Sequence, residues 1–370
     1  MTDKKKNNPG KSGHILEALK RDMDEVDEKI VDLINQRLLL GEKTSRILTD
    51  DVYMDSENIV DDKIINRLIG LNSGPLNNNL LSYIFRNLFA AGREIKNPHM
   101  VAYLGPEATF SHIAALNHFG HSALFAPKSN IGDIFNAVEK DSCHFGVVPV
   151  ENSIEGSVNL TLDFLFESDL KICAERYLTI SHDLMSISGK REDVKIICSH
   201  PQPIAQCRRW ISDNLPDVQI EECTSTAYAA QKAAKNPEIA AIASNKAKEV
   251  YKLQAIESGI EDFTKNVTRF LVIGKDEIKM TGKDKTSLMF ATAHIPGALY
   301  KVLEPIAETG INMVKLESRP TKYKNWSYFF FIDIEGHMED QKIKDAVSKM
   351  KNLCQYLKCL GSYNMVTGIE

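Results

Sequence analysis

Two short polar clusters, each continuous with an apolar strand, carry the residue types best suited to chemistry. The first, Val147–Ser153, ends in Glu-Asn-Ser, and the second, Asn266–Ile273, opens with Asn-Val-Thr-Arg. In open α/β sheets, ligands bind at the ends of strands. We therefore expect these two polar strand ends, more than a hundred residues apart in the chain, to converge on one small polar molecule.

Three hydroxyl-bearing segments in the same region are predicted to begin helices: Thr109–Ser111, Ser199–Gln202 and Thr224–Thr226. Helix N-termini present free N–H groups and partial positive charge, so they attract carboxylates. Ser and Thr are also ordinary N-caps, and both interpretations stay open for each segment. The pattern suits a small polyanionic ligand in a cleft but does not specify which one.

Single residues near these clusters also have two interpretations. Arg269 could bind a ligand carboxylate with both arms of its guanidinium, or it could form a structural salt bridge. His182 and His200 could act as bases, although a structural role is favoured for a lone His. Cys207 is interpreted as a small buried hydrophobic residue and not as a nucleophile.

Composition limits the class of protein. The chain has 370 residues, a net charge of −5 and a sequence pI of about 6.1. Length predicts two or three domains, and the acidic balance argues against a nucleic-acid partner. No apolar run approaches the roughly 20 residues that a membrane span needs, and the polar start lacks the apolar core of a secretory signal. The seven cysteines include no Cys-x-x-Cys, which predicts neither a disulfide framework nor a metal site. A cytoplasmic protein is expected.

Hydrophobic spacing predicts a helical domain near the start of the chain. Residues 1–13 are predicted to be a disordered tail, and residues 14–97 to form three helices. Apolar residues in the first helix recur at alternating spacings of four and three, which indicates a long packing seam. Because three helices bury little core, pairing with a second copy would stabilise them. The seam residues are Leu19, Met23, Val26, Ile30 and Leu33.

Two further domains are predicted after the helices. Residues 100–275 alternate short apolar strands with helical stretches, which indicates an α/β domain with a largely parallel sheet. The charged segment Lys275–Lys285 is the expected linker. Residues 285–365 read strand, helix, strand, strand, helix, strand, the order of the α+β ferredoxin-like split βαβ unit. The strands predicted in the α/β domain are Val101–Leu104, Phe145–Pro149, Val194–Cys198, Val218–Ile220 and Ile239–Ile242.

Five motifs of the α/β domain resemble those of prephenate dehydratases. The resemblance implies a two-lobed fold similar to that of periplasmic binding proteins, with the active site between the lobes. One departure is Ala108, where the family usually has Gly and where Ala is expected to be a mild change. In chain order the motifs are Val101–His112, Gly146–Val158, Ser199–Cys207, Thr224–Ala227 and Asn266–Phe270.

The same resemblance implies conversion of prephenate to phenylpyruvate, water and CO2 without a metal or organic cofactor. Thr268 is then the leading candidate for donating a proton to the departing hydroxyl or orienting it, with Glu151 and Asn152 positioning it. A Thr hydroxyl is a poor acid, so it needs such neighbours. The residues expected to bind substrate are Arg269, Phe270, Ser199, Gln206, Thr109, Ser111, Ser225 and Thr226.

The C-terminal domain resembles the ACT domain attached to these dehydratases, through Ile295–Leu303 and Gly310–Pro320. Gly297 could let backbone N–H groups approach a carboxylate, or it could be an ordinary turn residue. The resemblance implies feedback inhibition by L-phenylalanine at an interface between two such domains. The residues expected to bind this effector are Gly297, Ala298, Leu299, Asn312, Glu317, Ser318 and Arg319.

The helical domain resembles the chorismate mutase domain of bifunctional P-proteins. Arg37, on the apolar seam, matches a substrate-binding Arg of that family; it could pair with a buried anion or extend its head to solvent. Lys20 stands where the family has an Arg, and Leu48 stands where it has an essential Lys. The stretch that usually supplies another Arg reads Asp55–Ile59 and contains none. We expect chorismate to be a possible ligand and mutase activity to be weak or absent.

Two alternatives to the prephenate dehydratase remain. Arogenate differs from prephenate by an amino group, so an arogenate dehydratase has the same motifs. A non-catalytic sensor of aromatic metabolites would bind ligands in these domains without turnover, although the intact Thr268 favours an enzyme. A homodimer or higher homo-oligomer is expected in each case.

Overall fold

The computed structural model describes residues 9–47, 57–94, 98–263, 265–320 and 328–366. The chain divides into two compact units. One contains residues 1–53 and 60–98, and the other contains residues 54–59 and 99–370. Within the described ranges, every helix is too short or too polar to cross a membrane.

The first unit contains the three predicted helices, α1 (Pro9–Ile47), α2 (Glu57–Leu71) and α3 (Asn78–Glu94). Helix α2 stops before Asn72-Ser73-Gly74-Pro75, a run of residues that disfavours helix. Helix α1 begins at Pro9, inside the predicted tail of residues 1–13. Residues 1–8 of that tail lie outside the described part.

The core of the helical unit is small, and its apolar seam is exposed. Helix α1 packs along α3, and the buried apolar side chains of this unit include Ile65, Leu81 and Phe89. The predicted seam residues of α1 face solvent instead; Met23 is 64% exposed and Leu33 is 62% exposed. The described part of this unit therefore leaves a long apolar stripe uncovered.

The second unit begins with a lobe built on a mixed sheet, lobe 1. Its strand order is β2-β1-β3-β11-β5, with β4 on β3. Strand β1 is parallel to β2 and β3, whereas β11 is antiparallel to β3 and β5. The strands are β1 (Met100–Leu104), β2 (Leu124–Lys128), β3 (Phe145–Asn152), β4 (Gly156–Ser157), β5 (Lys171–Thr179) and β11 (Val267–Gly274). The helices are α4 (Phe110–Phe119), α5 (Ile131–Glu139) and α6 (Asn159–Glu167).

Lobe 2 is inserted between β5 and β11 and carries a second mixed sheet, in the order β10-β6-β9-β7-β8. Strand β7 is parallel to β8 and β9, and β6 is antiparallel to β9 and β10. The strands are β6 (Asp183–Ser186), β7 (Ile196–Ser199), β8 (Gln219–Glu222), β9 (Ile239–Ala243) and β10 (Gln254–Glu257). The helices are α7 (Pro201–Gln206), α8 (Arg208–Asn214), α9 (Thr226–Ala233) and α10 (Lys246–Tyr251), with a 3-10 turn at Arg191–Asp193.

The expected two-lobed architecture is present, but the prediction of a largely parallel sheet is wrong, because the domain has two mixed sheets. The chain crosses from lobe 1 to lobe 2 after β5 and returns through β11. The returning strand enters lobe 1 antiparallel to its neighbours, so each lobe has its own mixed sheet.

After the two lobes, the second unit ends with the ferredoxin-like domain. Its sheet order is β13-β14-β12-β15, with every pair antiparallel. Strand β12 begins at Asp284, and both Asp284 and Lys285 are buried, so the predicted linker ends earlier than expected. The elements follow the predicted order: β12 (Asp284–Ala291), α11 (Ala298–Glu308), β13 (Met313–Pro320), β14 (Tyr328–Glu335), α12 (Gln341–Leu353) and β15 (Tyr356–Asn364).

A glycine allows this domain to dock on lobe 1. Gly361 of β15 has φ +150°, and a Cβ placed on it would lie 2.3 Å from the backbone oxygen of Ile172 in β5. Any side chain would force the two strands apart, because real Cβ atoms do not approach within 3.0 Å of another heavy atom. The edges of the two sheets therefore approach each other backbone to backbone.

Candidate active site

The two polar strand ends converge. Strands β3 and β11 are antiparallel neighbours, and Asn152 lies opposite Thr268 in their register. The Asn152 Nδ2 donates a hydrogen bond to Thr268 Oγ1 at 2.9 Å and another to Asn266 Oδ1 at 2.7 Å. All three side chains are nearly buried. The expectation that these clusters meet is confirmed.

Backbone donors fix the orientation of the Asn152 amide. Its Oδ1 accepts hydrogen bonds from the backbone N–H of Ile154 at 2.9 Å and of Glu155 at 3.1 Å. The oxygen must therefore face these donors, and the NH2 group must face Thr268. Since Thr268 accepts a hydrogen bond from Asn152, its own hydroxyl hydrogen can be donated to another acceptor. The Thr268 hydroxyl can therefore donate a hydrogen bond to a ligand.

The amide network continues into lobe 2. The Asn266 Nδ2 donates to Gln206 Oε1 at 3.2 Å, and His182 Nε2 lies 2.9 Å from the same oxygen. Because Gln206 Oε1 is an acceptor, His182 carries its proton on Nε2. Burial lowers the pKa of His182, which favours this neutral form. Within the described residues, His182 Nδ1 has no hydrogen-bond partner. His182 is thus part of the site network and not a separate surface histidine.

The edge of lobe 2 that faces this network is formed by the carboxyl ends of parallel strands. Ser199, at the end of β7, is fully buried and donates to the carbonyl oxygen of Ile242 at 2.7 Å. Ser244, just after β9, donates to the carbonyl oxygen of Ala108 at 2.6 Å. The Phe110 ring, at the start of α4, lies 5.5 Å from the His182 ring. The N-terminus of α4 therefore lies at the boundary between the lobes.

At two of the three predicted helix starts, a hydroxyl residue is the N-cap. Thr109 Oγ1 accepts from the backbone N–H of His112 at 3.3 Å, and Ser225 Oγ accepts from that of Tyr228 at 3.0 Å. Ser199 is not a cap, because His200 takes that position in α7. The N-cap interpretation is thus confirmed for two starts, while the first-turn N–H groups of these helices still point outward. Ser111 is buried in α4 and Thr226 is half-buried in α9.

Ala108 is a more demanding substitution than expected. Its φ is +65°, a left-handed conformation that costs an L-residue roughly 1–2 kcal/mol. This explains a preference for Gly there. Ala108 is also fully buried, and it packs into the core of lobe 2 although it belongs to lobe 1.

Two residues expected to bind substrate are placed elsewhere. Successive side chains of a strand point to opposite faces of the sheet, so Arg269 cannot share the face of Thr268. Phe270 is 2% exposed and packs in the core of lobe 1 with residues such as Tyr103 and Val147. The substrate-binding predictions for Arg269 and Phe270 are therefore wrong.

Arg269 is the centre of a buried ion cluster between lobe 1 and the ferredoxin-like domain. Its guanidinium donates to Glu175 at 2.9 Å, to Asp333 at 2.6 Å and to the Tyr363 hydroxyl at 2.9 Å. Lys285 donates to Glu175 at 2.8 Å. Burial opposes the charge of Arg269, but Tyr363, Asp333 and Glu175 outweigh it and raise its pKa well above the ordinary value. The salt-bridge interpretation of Arg269 is confirmed.

Glu151 also faces away from Thr268. Its carboxylate accepts from Lys315 Nζ of the ferredoxin-like domain at 2.8 Å. Its neighbour Asn152 faces the amide network, as strand alternation requires. Glu151 therefore does not contact Thr268 directly, and its predicted role in positioning Thr268 stays a prediction, whereas Asn152 lies directly against Thr268.

The residues expected to bind an effector separate into two groups. Gly297, Ala298 and Leu299 line an open depression at the start of α11, together with residues such as Tyr300 and Tyr328. Gly297 is left-handed at φ +76°, and a Cβ on it would meet nothing within 4 Å.

The other group lies on or beside β13. Asn312 donates to Glu335 at 2.9 Å, and Ser318 is exposed. Glu317 pairs with Lys315, and Arg319 pairs with Asp163 of lobe 1 at 2.6 Å. These four residues do not line the depression. This second group consists of Asn312, Glu317, Ser318 and Arg319.

The helical unit shows only part of the expected mutase site. The Arg37 guanidinium lies 5.3 Å from the centre of the Phe89 ring on α3, and Lys20 is exposed. Leu48 lies outside the described residues.

One group of described residues has the composition of a metal site. Ligand atoms of Cys198, Glu221 and Cys223 lie within 4.8 Å of one another. However, burial raises the pKa of Cys198 to about 12 and also raises the pKa of Cys223. Thiolates are the ligand form, and Lys232 already pairs with Glu221. The arrangement also fits two buried thiols beside a surface ion pair.

Sequence reasoning missed one member of the site for which a signal existed. Asn266 precedes Thr268 by two positions in a strand, so both must share a face. For Lys315, Asp333 and Lys285 no local pattern was available, because their partners are distant in sequence.

Comparisons with known proteins follow this organisation. The prephenate dehydratase family model matches residues 101–278, and the ACT domain model matches residues 288–352. A bifunctional chorismate mutase/prephenate dehydratase of Aquifex aeolicus is 42% identical over 352 residues, which cover 94% of this chain and 97% of the relative.

Two solved structures are also similar. Prephenate dehydratase of Arthrobacter aurescens in complex with L-Phe is 31% identical with a TM-score of 0.66, over 72% of this chain and 90% of that chain. A protein described as a novel type of quorum quenching acylase is 27% identical with a TM-score of 0.66, over 72% and 98% of the two chains.

Proposed function

Because the chain belongs to the family of bifunctional chorismate mutase/prephenate dehydratases, we propose that it converts prephenate to phenylpyruvate, with Thr268 as the donor to the departing hydroxyl. The observation that carries this proposal is the hydrogen bond from Asn152 to Thr268, which leaves the hydroxyl hydrogen of Thr268 available. Identity of 42% over nearly the whole chain favours this reaction over the acylase activity named for a more distant relative.

The reaction needs a donor more than a base. The bond between the ring and its carboxylate breaks and releases CO2, and its electron pair completes the aromatic ring. The C–O bond on the opposite ring carbon breaks with its electron pair leaving on oxygen, and the departing hydroxide becomes water by taking one proton from the Thr268 hydroxyl, which regains a proton from solvent. A hydrogen bond from Thr268 stabilises negative charge as it develops on that oxygen. Asn152 and Asn266 hold the donor in place, which avoids reorganisation during the reaction.

Prephenate is a dianion, and the site must attract it without Arg269. The first-turn N–H groups of α4, at Phe110 and Ser111, lie at the lobe boundary and carry partial positive charge. The start of α9, at Ser225 and Thr226, follows strand β8 of lobe 2, which is the parallel neighbour of β7. We assign carboxylate binding to these two helix starts, with Gln206 completing the polar wall.

Product identification tests the proposal. The purified chain is incubated separately with prephenate, arogenate and chorismate, and the products are separated and identified. Phenylpyruvate from prephenate is the expected result. Phenylalanine from arogenate at a higher kcat/KM would make the chain an arogenate dehydratase, and binding of prephenate without any product would make it a sensor.

The ACT domain is proposed to bind L-phenylalanine and inhibit the dehydratase. The depression at Gly297–Leu299 supports this, because Gly297 leaves the backbone at the start of α11 accessible to a carboxylate. Ser318 is exposed on β13 and does not line the depression, and we assign the second half of the site to β13 residues of another copy of the chain.

We expect L-phenylalanine to lower the dehydratase rate and to raise the melting temperature, since a ligand that binds only the folded state stabilises it by about 2.7 kcal/mol at a hundredfold excess over Kd. Gly297→Ala should remove both effects, because its methyl group blocks the approach of the carboxylate. Gly310→Ala is the matched control: Gly310 also has a positive φ and open space around it. Calorimetry without binding of the wild-type chain at millimolar L-phenylalanine would contradict this proposal.

The helical unit is proposed to serve dimerisation more than catalysis. Its exposed stripe on α1, from Leu19 to Leu33, offers apolar surface to a second copy. Within the described residues, Arg37 stacks on Phe89.

We expect little or no loss of chorismate absorbance with the purified chain, because one Arg cannot both hold two carboxylates and stabilise the ether oxygen. Leu48→Lys should raise a weak rate. Leu39→Lys, which adds the same charge at an exposed position of α1, should not. Wild-type turnover of several per second, a rate ordinary for enzymes, would show that other cations supply the missing charges.

A further inference from the structure

The strands that carry Asn152 and Thr268 present different side chains on their two faces. On the face toward the amide network, Asn152 is bonded to Thr268. On the opposite face lie Glu151 and Arg269, which are also opposite each other in the register of β3 and β11. Asn152 and Thr268 are therefore each adjacent in sequence to a charged residue on the other face.

Both of these charged residues are held by the ACT domain. Lys315 of β13 donates to Glu151 at 2.8 Å, and Asp333 of β14 accepts from Arg269 at 2.6 Å. Strands β13 and β14 are neighbours in one sheet, and Lys315 lies opposite Asp333 in their register. Two neighbouring residues of the ACT domain, Lys315 and Asp333, thus bind the two neighbouring strands β3 and β11 that carry the site.

The two contacts differ in strength. Arg269 and Asp333 are nearly buried, with 6% and 8% of their side chains exposed, while Lys315 and Glu151 are 16% and 38% exposed. Lys315 has a competing partner in Glu317 at 3.2 Å. The Asp333 contact is therefore fixed, and the Lys315 contact is the one that a change in the ACT domain can release.

We infer that Lys315 is a positioning residue for the dehydratase: through Glu151 it sets the position of Asn152 relative to Thr268, and the ACT domain regulates the site through this contact. The inference rests on the proposed function. Misplacement of a catalytic group by about 1 Å can cost on the order of a hundredfold in rate. Release of Glu151 by Lys315 shifts strand β3 while Asp333 still holds β11, which changes the distance between Asn152 and Thr268.

A double-mutant cycle tests the contact. Lys315→Met and Glu151→Gln should each lower kcat roughly tenfold and change KM less than threefold, since substrate contacts stay in place. The double variant should be no slower than either single variant, because both remove the same interaction. Lys315→Arg, which keeps the charge, should recover most of kcat.

The matched control is Lys195→Met, which removes a lysine from an ion pair with Glu238 in lobe 2; kcat should be unchanged. A wild-type kcat for Lys315→Met, or losses that multiply in the double variant, would overturn the inference. A lower melting temperature with unchanged kcat would also overturn it, because a purely structural contact behaves in that way.

A second measurement does not depend on turnover. The side-chain amide resonance of Asn152, identified in selectively labelled protein by its loss in Asn152→Asp, should shift in Lys315→Met and stay in place in Lys195→Met. An unshifted resonance in Lys315→Met would overturn the inference. If the wild-type chain does not convert prephenate, the proposed function fails, and this resonance still decides whether Lys315 positions Asn152.

Discussion

Thr268→Ala is expected to lower kcat/KM at least a hundredfold and to leave the fold intact. Loss of one preorganised donor to a developing negative oxygen typically costs about 10²–10³ in rate, or roughly 2.7–4 kcal/mol. The fold should survive, because Ala keeps the Cβ of this strand residue, and the one Asn152 N–H that loses its partner costs only about 1–3 kcal/mol. Steady-state kinetics with prephenate and a melting curve measure the two effects.

Two further variants separate the donor role from packing. Thr268→Ser keeps the hydroxyl and should retain much of the activity. Thr161→Ala removes another buried Thr, whose hydroxyl donates to the Pro149 carbonyl oxygen at 2.6 Å away from the amide network, and should change kcat little. Retention of more than about a tenth of wild-type kcat/KM by Thr268→Ala, a loss below roughly 1.4 kcal/mol, would exclude the assigned role.

The second large effect concerns stability. Arg269→Met should destabilise the folded protein by about 3–5 kcal/mol, because removal of one partner leaves a buried charge uncompensated. Glu175 would keep Lys285, whereas Asp333 would keep only hydroxyl partners such as Ser287. Thermal unfolding should show a fall in melting temperature of more than about 5 °C, given roughly 2–4 °C per kcal/mol for domains of this order of size.

A surface arginine provides the control for this effect. Arg191 pairs with Glu257, and both side chains are more than 40% exposed; Arg191→Met should cost about 1 kcal/mol or less. If Arg269→Met and Arg191→Met melt at the same temperature, the buried cluster contributes no more than a surface pair. If Arg269→Met melts as the wild type but loses affinity for prephenate, Arg269 binds substrate after all.

Strand alternation explains which parts of the site could be predicted from sequence. The meeting of Asn152 and Thr268 followed from two polar strand ends, and the same rule of period two places Asn266 beside Thr268. Applied strictly, that rule also separates Arg269 from Thr268. The error over Arg269 came from reading a short motif as one surface, although its residues lie on two faces of a sheet.

Long-range pairing explains what could not be predicted. Lys315 meets Glu151 and Asp333 meets Arg269 across more than 60 residues of chain, and no local spacing encodes such contacts. The mixed sheets depend on where the chain crosses between lobes, which the order of elements leaves open. The helices and the ferredoxin-like order were predictable because their patterns are local.

The placement of Ala108 limits how the cleft can open. Two-lobed binding proteins usually close on a ligand by rotation about the strands that join the lobes. Here the lobes share two chain crossings and a third, non-covalent link, because Ala108 of lobe 1 is buried in the core of lobe 2 and its carbonyl is held by Ser244. Rotation of one lobe relative to the other would have to withdraw Ala108 from the core of lobe 2. We therefore expect the cleft to change its width less than in binding proteins whose lobes are joined by strands alone, so that discrimination between ligands depends more on their shape.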